Sequence, residues 1–517
     1  MLSRWVKIGL VAAVVICIAA ALFLTKYFPF SQKSVTESLL EVFPGDLQFE
    51  HFQVVYFPHP GCRAFGVTFR SRSRSSETPL VVTAQKLAIK GRWLDLMFRP
   101  HRVSRMFLDS LRVHVPVLGH AGEVASQASS ADQTPSRITV GEVFADGAVL
   151  EVDRSDNKPP LLYDIHDLNL SSVSEKNGFS YTIAMHNAEP PGEIQSTGHI
   201  GPFVTGHPGQ APVSGTYTFG GADLAVFDGI AGFLSSNGSF RGSLAKMDVE
   251  GETDIPDFEV KSSGHAAPLQ TDFRAAVDAL NGNVTLDEVK AIYLKTTIAI
   301  NGTIAHKPGW HGKFTSLDFR VTNGRIQDIL QIFTKGHNHP APMAGTTSFN
   351  AHVSVPPEGK TFLKELALDG NFEINDGRFE HPQTRKSVAM FSERARGNKK
   401  AGRSPDDADS QEEVTSYFRG HTTLRDGVAT LTDVLFTVPG AEARMHGTYN
   451  LLNDKIDFHG TVQMQANASD TTTGIKSLFA KALDPFFKKK GGSVVPVRMD
   501  GTYEHPRFGL DLGPGKK

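Results

Sequence analysis

Over much of the chain apolar and polar residues alternate one by one, the spacing of strands with one dry and one wet side. Around Gly460, the residues Ile456, Phe458, Val462, Met464 and Ala466 share one side, while Lys455, Asp457, His459, Thr461, Gln463, Gln465 and Asn467 share the other. Val495, Val497, Met499 and Tyr503 oppose Arg498, Asp500, Thr502 and Glu504, and Leu366, Leu368, Phe372 and Ile374 oppose Ala367, Asp369, Asn371 and Glu373. Ile298, Ile300 and Ile304 set against Thr297, Asn301 and Thr303 repeat the separation. This is the pattern of antiparallel sheet wet on one side, not of parallel strands buried on both.

A glycine recurs inside these strands. Gly215, Gly302, Gly447, Gly460 and Gly501 each precede a threonine, and Gly251 and Gly370 occupy similar settings without it. All seven stand in phase with the apolar side, and the alternation resumes unshifted beyond them, whereas a bulge would have shifted it. A side chain missing repeatedly on the dry side lets a sheet curl toward that side, or lets another body approach it closely. Two longer stretches align without gaps: Gly282-x-x-Thr285-Leu286-x-x-Val289 reaching Gly302-Thr303, and Gly427-x-x-Thr430-Leu431-x-x-Val434 reaching Gly447-Thr448. Internal duplication accounts for both. The expected fold is mainly β, an extended and strongly curved antiparallel sheet forming a groove or open-barrel-like array with an apolar concave side. Helical spacing is confined to Ser34 to Phe43, Asp223 to Leu234, Ile326 to Thr334 and Gly474 to Lys490. These are too few to screen the strands, so the sheet closes on itself, pairs with another sheet, or holds something apolar.

Ile8 to Leu24 is an unbroken apolar run, with Arg4 and Lys7 before it and Thr25 and Lys26 after it. It predicts a cytoplasmic N-terminus at residues 1–7 and a transmembrane anchor at 8–25. A cleaved signal peptide is the competing reading, since Ala19-Ala20-Ala21 offers small residues, but the run continues through Leu22-Phe23-Leu24. Between Gly119 and Pro135 the composition turns to Ala, Ser, Gln and Gly, predicting a linker at 119–136. Gly397 to Glu413 has no aliphatic residue larger than alanine, predicting a disordered loop at 397–413 in which Asp406 and Asp407 are solvated charge. These interruptions divide the body into a β segment at 34–118, a repeated β body at 137–396, and a final β segment at 414–517 that contains the helix 474–490.

Composition narrows the chemistry. A formal net charge of -2 gives no field for nucleic acid. Cys17 lies in the apolar run and Cys62 in the body, so a disulfide framework is not expected. The sequence contains no G-x-S-x-G, G-x-x-x-x-G-K-[ST], H-E-x-x-H or C-x-x-C signature. No carboxylate pair marks a glycan hydrolase. His337 and His339 form a close pair in a Pro-rich loop with no third ligand at metal spacing, and read as a polar turn. No catalytic residue, cofactor or metal is expected. Arg70, Arg72 and Arg74 read as a solvated turn, and His51, His59, His101, His114, His186 and His199 share no spacing. Ile475 to Lys490 combines Leu478, Phe479, Leu483, Phe486 and Phe487 with lysines, a makeup that serves either an interfacial element or a helix capping a sheet.

The N-terminal apolar run, then Phe57-Pro58-His59-Pro60-Gly61, Leu87-Ala88-Ile89 and Val103-Ser104-Arg105-Met106-Phe107-Leu108, resembles the AsmA-like proteins of bacterial envelopes. The far end is similar to them too, through Leu483-Asp484-Pro485-Phe486-Phe487, Gly491-Gly492, Val495-Pro496-Val497, Gly501-Thr502-Tyr503 and Pro506-Arg507-Phe508. The resemblance implies an inner-membrane anchor, a periplasmic body, and a long apolar β-groove that conducts phospholipid toward the outer membrane without enzymatic chemistry. Phospholipid or another acyl-chain lipid, the inner membrane and envelope proteins are then the expected partners. Ile298, Ile300, Ile304, Phe372, Phe458, Val462, Met464 and Met499 are the candidate groove residues. Roughly 25 strands at ~4.8 Å give about 120 Å, short for bridging an envelope alone. The rival expectation is an envelope scaffold with a sealed β core that acts through protein contacts.

Overall fold

The computed structural model describes residues 29–42, 45–71, 80–93, 102–116, 139–153, 159–174, 177–202, 208–279, 281–307, 310, 312–332, 341–357, 362–396, 414–464, 494–502 and 506–511. The expected anchor at 8–25, linker at 119–136, loop at 397–413 and helix at 474–490 lie outside these residues, as do His337 and His339. The protein is mainly β, a large curved mixed sheet with a few short helices. Two compact units divide the chain: residues 1–218 with 239–247, and residues 219–238 with 248–517.

The first unit opens with α1 (Gln32–Val42), whose first turn is closed by Ser31 Oγ accepting the Ser34 N–H at 3.2 Å. Strands β1 (Gly45–Val55), β2 (Gly61–Ser71) and β3 (Val81–Lys90) follow, antiparallel in that order. Phe30 and Val35 pack with Cys62, Ala64, Leu87 and Ile89, so α1 covers the dry side of these three strands. Next come β4 (Arg102–Asp109) and β5 (Arg112–Val115), both antiparallel to β3. Then β6 (Thr139–Val152) runs parallel to both of them, and β7 (Leu161–Ser174), β8 (Gly178–Ala188) and β9 (Pro191–Ile200) continue antiparallel. The sheet is therefore mixed, where the alternation predicts antiparallel pairing throughout. Parallel neighbours need a connection of roughly a dozen residues or more, and the Ala/Ser/Gln/Gly stretch between β5 and β6 supplies that length.

Strands β10 (Pro212–Asp223), β12 (Phe233–Ser243) and β13 (Lys246–Val260) carry residues of both units, with the short β11 (Ile230–Ala231) paired to β13. The helix expected over Asp223 to Leu234 is instead one 3-10 turn at Leu224–Val226, followed by β11 and the start of β12. Asp223 Oδ1 accepts the Ala225 N–H at 2.8 Å, and Gly229 and Gly232 take φ of 89° and 123°, so the chain turns out of helical geometry. Lys261 Nζ fixes this turn by donating to the carbonyls of Ala225 and Phe227, each at 2.9 Å.

In the second unit β14 (His265–Asp278), β15 (Asn283–Tyr293), β16 (Thr296–His306) and β17 (Lys313–Arg325) lead into α2 (Ile326–Gln331), within the expected helical stretch. Then follow β18 (Met343–Val355), α3 (Phe362–Glu365), β19 (Ala367–Phe379) and α4 (Pro382–Ala395). Strands β20 (Ser416–Arg425), β21 (Val428–Val438), β22 (Ala441–Asn450), β23 (Lys455–Met464), β24 (Val494–Thr502) and β25 (Pro506–Leu510) complete it. From β14 to β25 each strand pairs antiparallel with the next.

Alternate strands from β15 to β21 carry a β-bulge. In β15 Leu286 and Val289 face Gly302 and Ile300; in β17 Val321 and Gly324 face Phe349 and Thr347. In β19 Ile374 and Gly377 face Phe418 and Ser416, and in β21 Leu431 and Val434 face Gly447 and Met445. Each time one strand spends an extra residue, and Asn323, Asp376 and Asp433 take it up with φ of 54°, 52° and 52°. The two duplicated stretches thus share a bulge at the same place. It lies not at Gly302 or Gly447 but in the strand opposite each of them.

Candidate functional site

The register of the second unit carries the apolar phase from strand to strand, interrupted in pairing at the β21 bulge. Val321 pairs with Phe349, Phe349 with Phe372 and Phe372 with Gly420. Beyond the β21 bulge Val434 pairs with Met445, and Met445 with Gly460. Nearer the other strand ends a second row joins Gly302, Leu317, Val353, Leu368 and Leu424.

Glycines turn this dry side inward. A Cβ placed on Gly460 would stand 2.2 Å from the Arg444 carbonyl oxygen and 2.9 Å from Met445 Cα, and one on Gly447 2.2 Å from the Asp457 carbonyl oxygen. In a flat sheet a neighbouring backbone does not reach the position of a side chain, so β22 and β23 fold over each other toward the apolar side. At Gly420 the space is taken by side chains instead, with Phe372 Cζ and Val434 Cγ2 each 3.1 Å from the Cβ position.

One end of the dry side is closed by helices. Ile329 and Ile332, at and just after the end of α2, pack with Tyr293, Ile298 and Val321, and Leu330 packs with Met343 and Ile374. Val388, Phe391 and Ala395 of α4 pack with Val438, Ala443, Val462, Met464 and Val495. Asp328 locks α2 in place: it is buried, accepts the Thr296 hydroxyl at 2.8 Å and the Lys295 N–H at 3.2 Å, and lies 4.0 Å from Arg325 Nε. Burial and the charge of Asp328 raise the Tyr293 hydroxyl above its ordinary value.

Beside this closed end lies an open trough of about 1220 Å³, lined by the row Val321, Phe349, Phe372, Gly420, Val434, Met445 and Gly460 and by their neighbours along each strand. The expected residues divide between closed end and open sheet. Ile298, Val462 and Met464 are buried in the packed clusters at the closed end. Ile300, Ile304, Phe372, Phe458 and Met499 are half-buried on the same side, and of these Phe372 lines the trough. Gly215, Gly251, Gly302, Gly370, Gly447, Gly460 and Gly501 all lie within strands in phase with partly or fully buried residues. Sequence reasoning missed Phe349 and Met445, although each alternates in phase with its strand. It named Val434 in the duplicated stretch without placing it on the dry side, because the bulge reverses its apparent phase.

The wet side is chemically plain. His352 faces Asp318 at 2.8 Å, His421 faces Asp369 at 3.1 Å, and His459 lies between Asp511 at 2.7 Å and Asp457 at 3.2 Å. These are exposed or partly exposed cross-strand pairs of small energetic weight. Among the described residues no three His, Cys, Asp or Glu side chains are grouped to hold a metal ion. In the first unit burial pushes the Cys62 thiol up to about 12, which keeps it protonated and unreactive as a nucleophile. Among the described residues no helix is long and apolar enough to cross a membrane. No family model matches this chain, and no curated protein matches it.

Proposed function

We propose that this protein is a membrane-anchored, non-enzymatic lipid carrier that holds acyl chains of phospholipid along the dry side of its second unit, in bacterial envelope biogenesis or lipid homeostasis. The apolar run at Ile8 to Leu24 is its inner-membrane anchor, with the N-terminus cytoplasmic and the body periplasmic. The observation that supports the reading is the trough itself. At about 1220 Å³ it exceeds the ~300–1,000 Å³ of ordinary small-molecule clefts, and Phe349, Phe372, Val434 and Met445 give it an apolar row that crosses the strands. Each methylene moved from water onto such a surface gains about 0.8 kcal/mol, so a chain passed between equivalent apolar rows avoids re-entering water. No covalent step is required.

Photocrosslinking tests this in the full chain within its membrane. A benzophenone amino acid at Phe372 is expected to form phospholipid adducts, read by mass spectrometry, at least about fivefold above the same probe at Asp369, which is exposed on the wet side of the same strand and does not line the trough. Equal labelling at the two positions, or none at either, would overturn the reading in favour of a scaffold acting through protein contacts.

A further inference from the structure

The turn between β1 and β2 exposes Phe57 to 85 % and Tyr56 to 47 %, and no other large apolar side chain among the described residues exceeds 56 %. Scattered apolar side chains on a surface are ordinary, but two adjacent exposed aromatics at the tip of one turn offer an apolar contact to a surface beside it.

The covering surface is indicated by where the chain comes from. Gly91 donates its N–H to the Pro60 carbonyl at 2.7 Å, which ties the base of this turn to the end of β3. Phe30 packs on the same point, its Cζ 2.8 Å from where a Cβ on Gly91 would stand. The apolar run ends at Leu24, and the chain from there to Phe30 spans at most about 20 Å even when fully extended. A bilayer entered by that run therefore lies within about 20 Å of Phe30, which packs at the base of the turn that carries Phe57. Arg92, next to Gly91, is also exposed at this end and offers a cation to lipid phosphates.

We infer that the β1–β2 turn is a second membrane contact, with Phe57 inserted at the acyl-chain boundary of the bilayer that holds the N-terminal run and Arg92 at the headgroups. The inference rests on the anchor reading above and is independent of what the trough carries. Aromatic side chains at such boundaries fix the angle at which a domain leaves the membrane. One helix alone leaves a body free to swivel, and two contacts set its orientation.

The test uses the full chain in vesicles of phosphatidylcholine and phosphatidylglycerol, some of them brominated midway along the acyl chains. Phe57→Trp is compared with Gln48→Trp, which lies toward the far end of β1, each read against the parent's own tryptophans. The expected result is at least twofold stronger quenching at position 57 together with a blue-shifted emission, while position 48 is unaffected. If the chain floats with the vesicles but position 57 is quenched no more than position 48, the inference falls alone, and a protein partner for the turn takes its place. If the chain does not float, the anchor and this contact fall together.

Discussion

At Gly460 the neighbouring strand occupies the place of a side chain, whereas at Gly420 a ring and a methyl group occupy it, and the two should respond differently to one added carbon. Gly460→Ala must displace the backbone of β22, and is expected to lower the unfolding free energy by about 1–3 kcal/mol. Gly420→Ala needs only a small shift of Phe372 and Val434, and should cost less than half as much; urea titration of both variants reads the difference, and equal losses would mean that backbone approach does not set the cost. The phase of these glycines was legible in the sequence because a strand period of two leaves no ambiguity about side. What each glycine meets was not, since that depends on the neighbouring strand. The same limit divides the candidate residues: Met464 and Phe372 read alike in alternation, yet α4 packs over one and leaves the other beside the trough.

At the scale of elements, the alternate-strand bulge was written in the sequence but in a form that alternation disguises. Leu286-x-x-Val289 and Leu431-x-x-Val434 separate two dry-side residues by three positions, which in an unbroken strand would put them on opposite sides. The duplicated spacing was therefore legible as repetition and not as geometry. Helix α4 was missed because its packed residues Val388, Phe391 and Ala395 make a narrow stripe among Arg, Lys, Ser and Glu. The parallel entry of β6 was hidden because pairing direction depends on a connection and not on the strand's own residues. Asn323, Asp376 and Asp433 hold the bulges in left-handed conformation, which short polar side chains tolerate and β-branched ones do not. Asp433→Val is expected to lower stability by about 1–2 kcal/mol and Asp433→Asn to leave it within ~0.5 kcal/mol, as measured by thermal unfolding, with the same order at Asn323 and Asp376.

For the molecule as a whole, the successive pairing from β14 to β25 gives each strand its support from the strands on either side and from α2 or α4 where they cover it. Stability in such an array is local, as in stacked repeats, and a single all-or-none unfolding step is not expected. Met464→Asp puts a carboxylate into the closed end beside Val438, Ala441 and Val495. Hydrogen exchange should then show lost protection in β21 to β24 and α4, while β1 to β3 in the other unit exchange as before; uniform loss across both units would contradict local support. Because Met464 is packed under a helix, this substitution reports on folding, and Phe372 is the position that reports on the trough. Finally, a kink in every second strand from β15 to β21 means that the trough's length comes in quanta. Inserting one strand would reverse the chain and put the next kink out of step, whereas inserting a whole hairpin, roughly 10 Å of sheet at ~4.8 Å per strand, preserves both direction and curvature. Evolution or a protein engineer can lengthen such a sheet only by even numbers of strands.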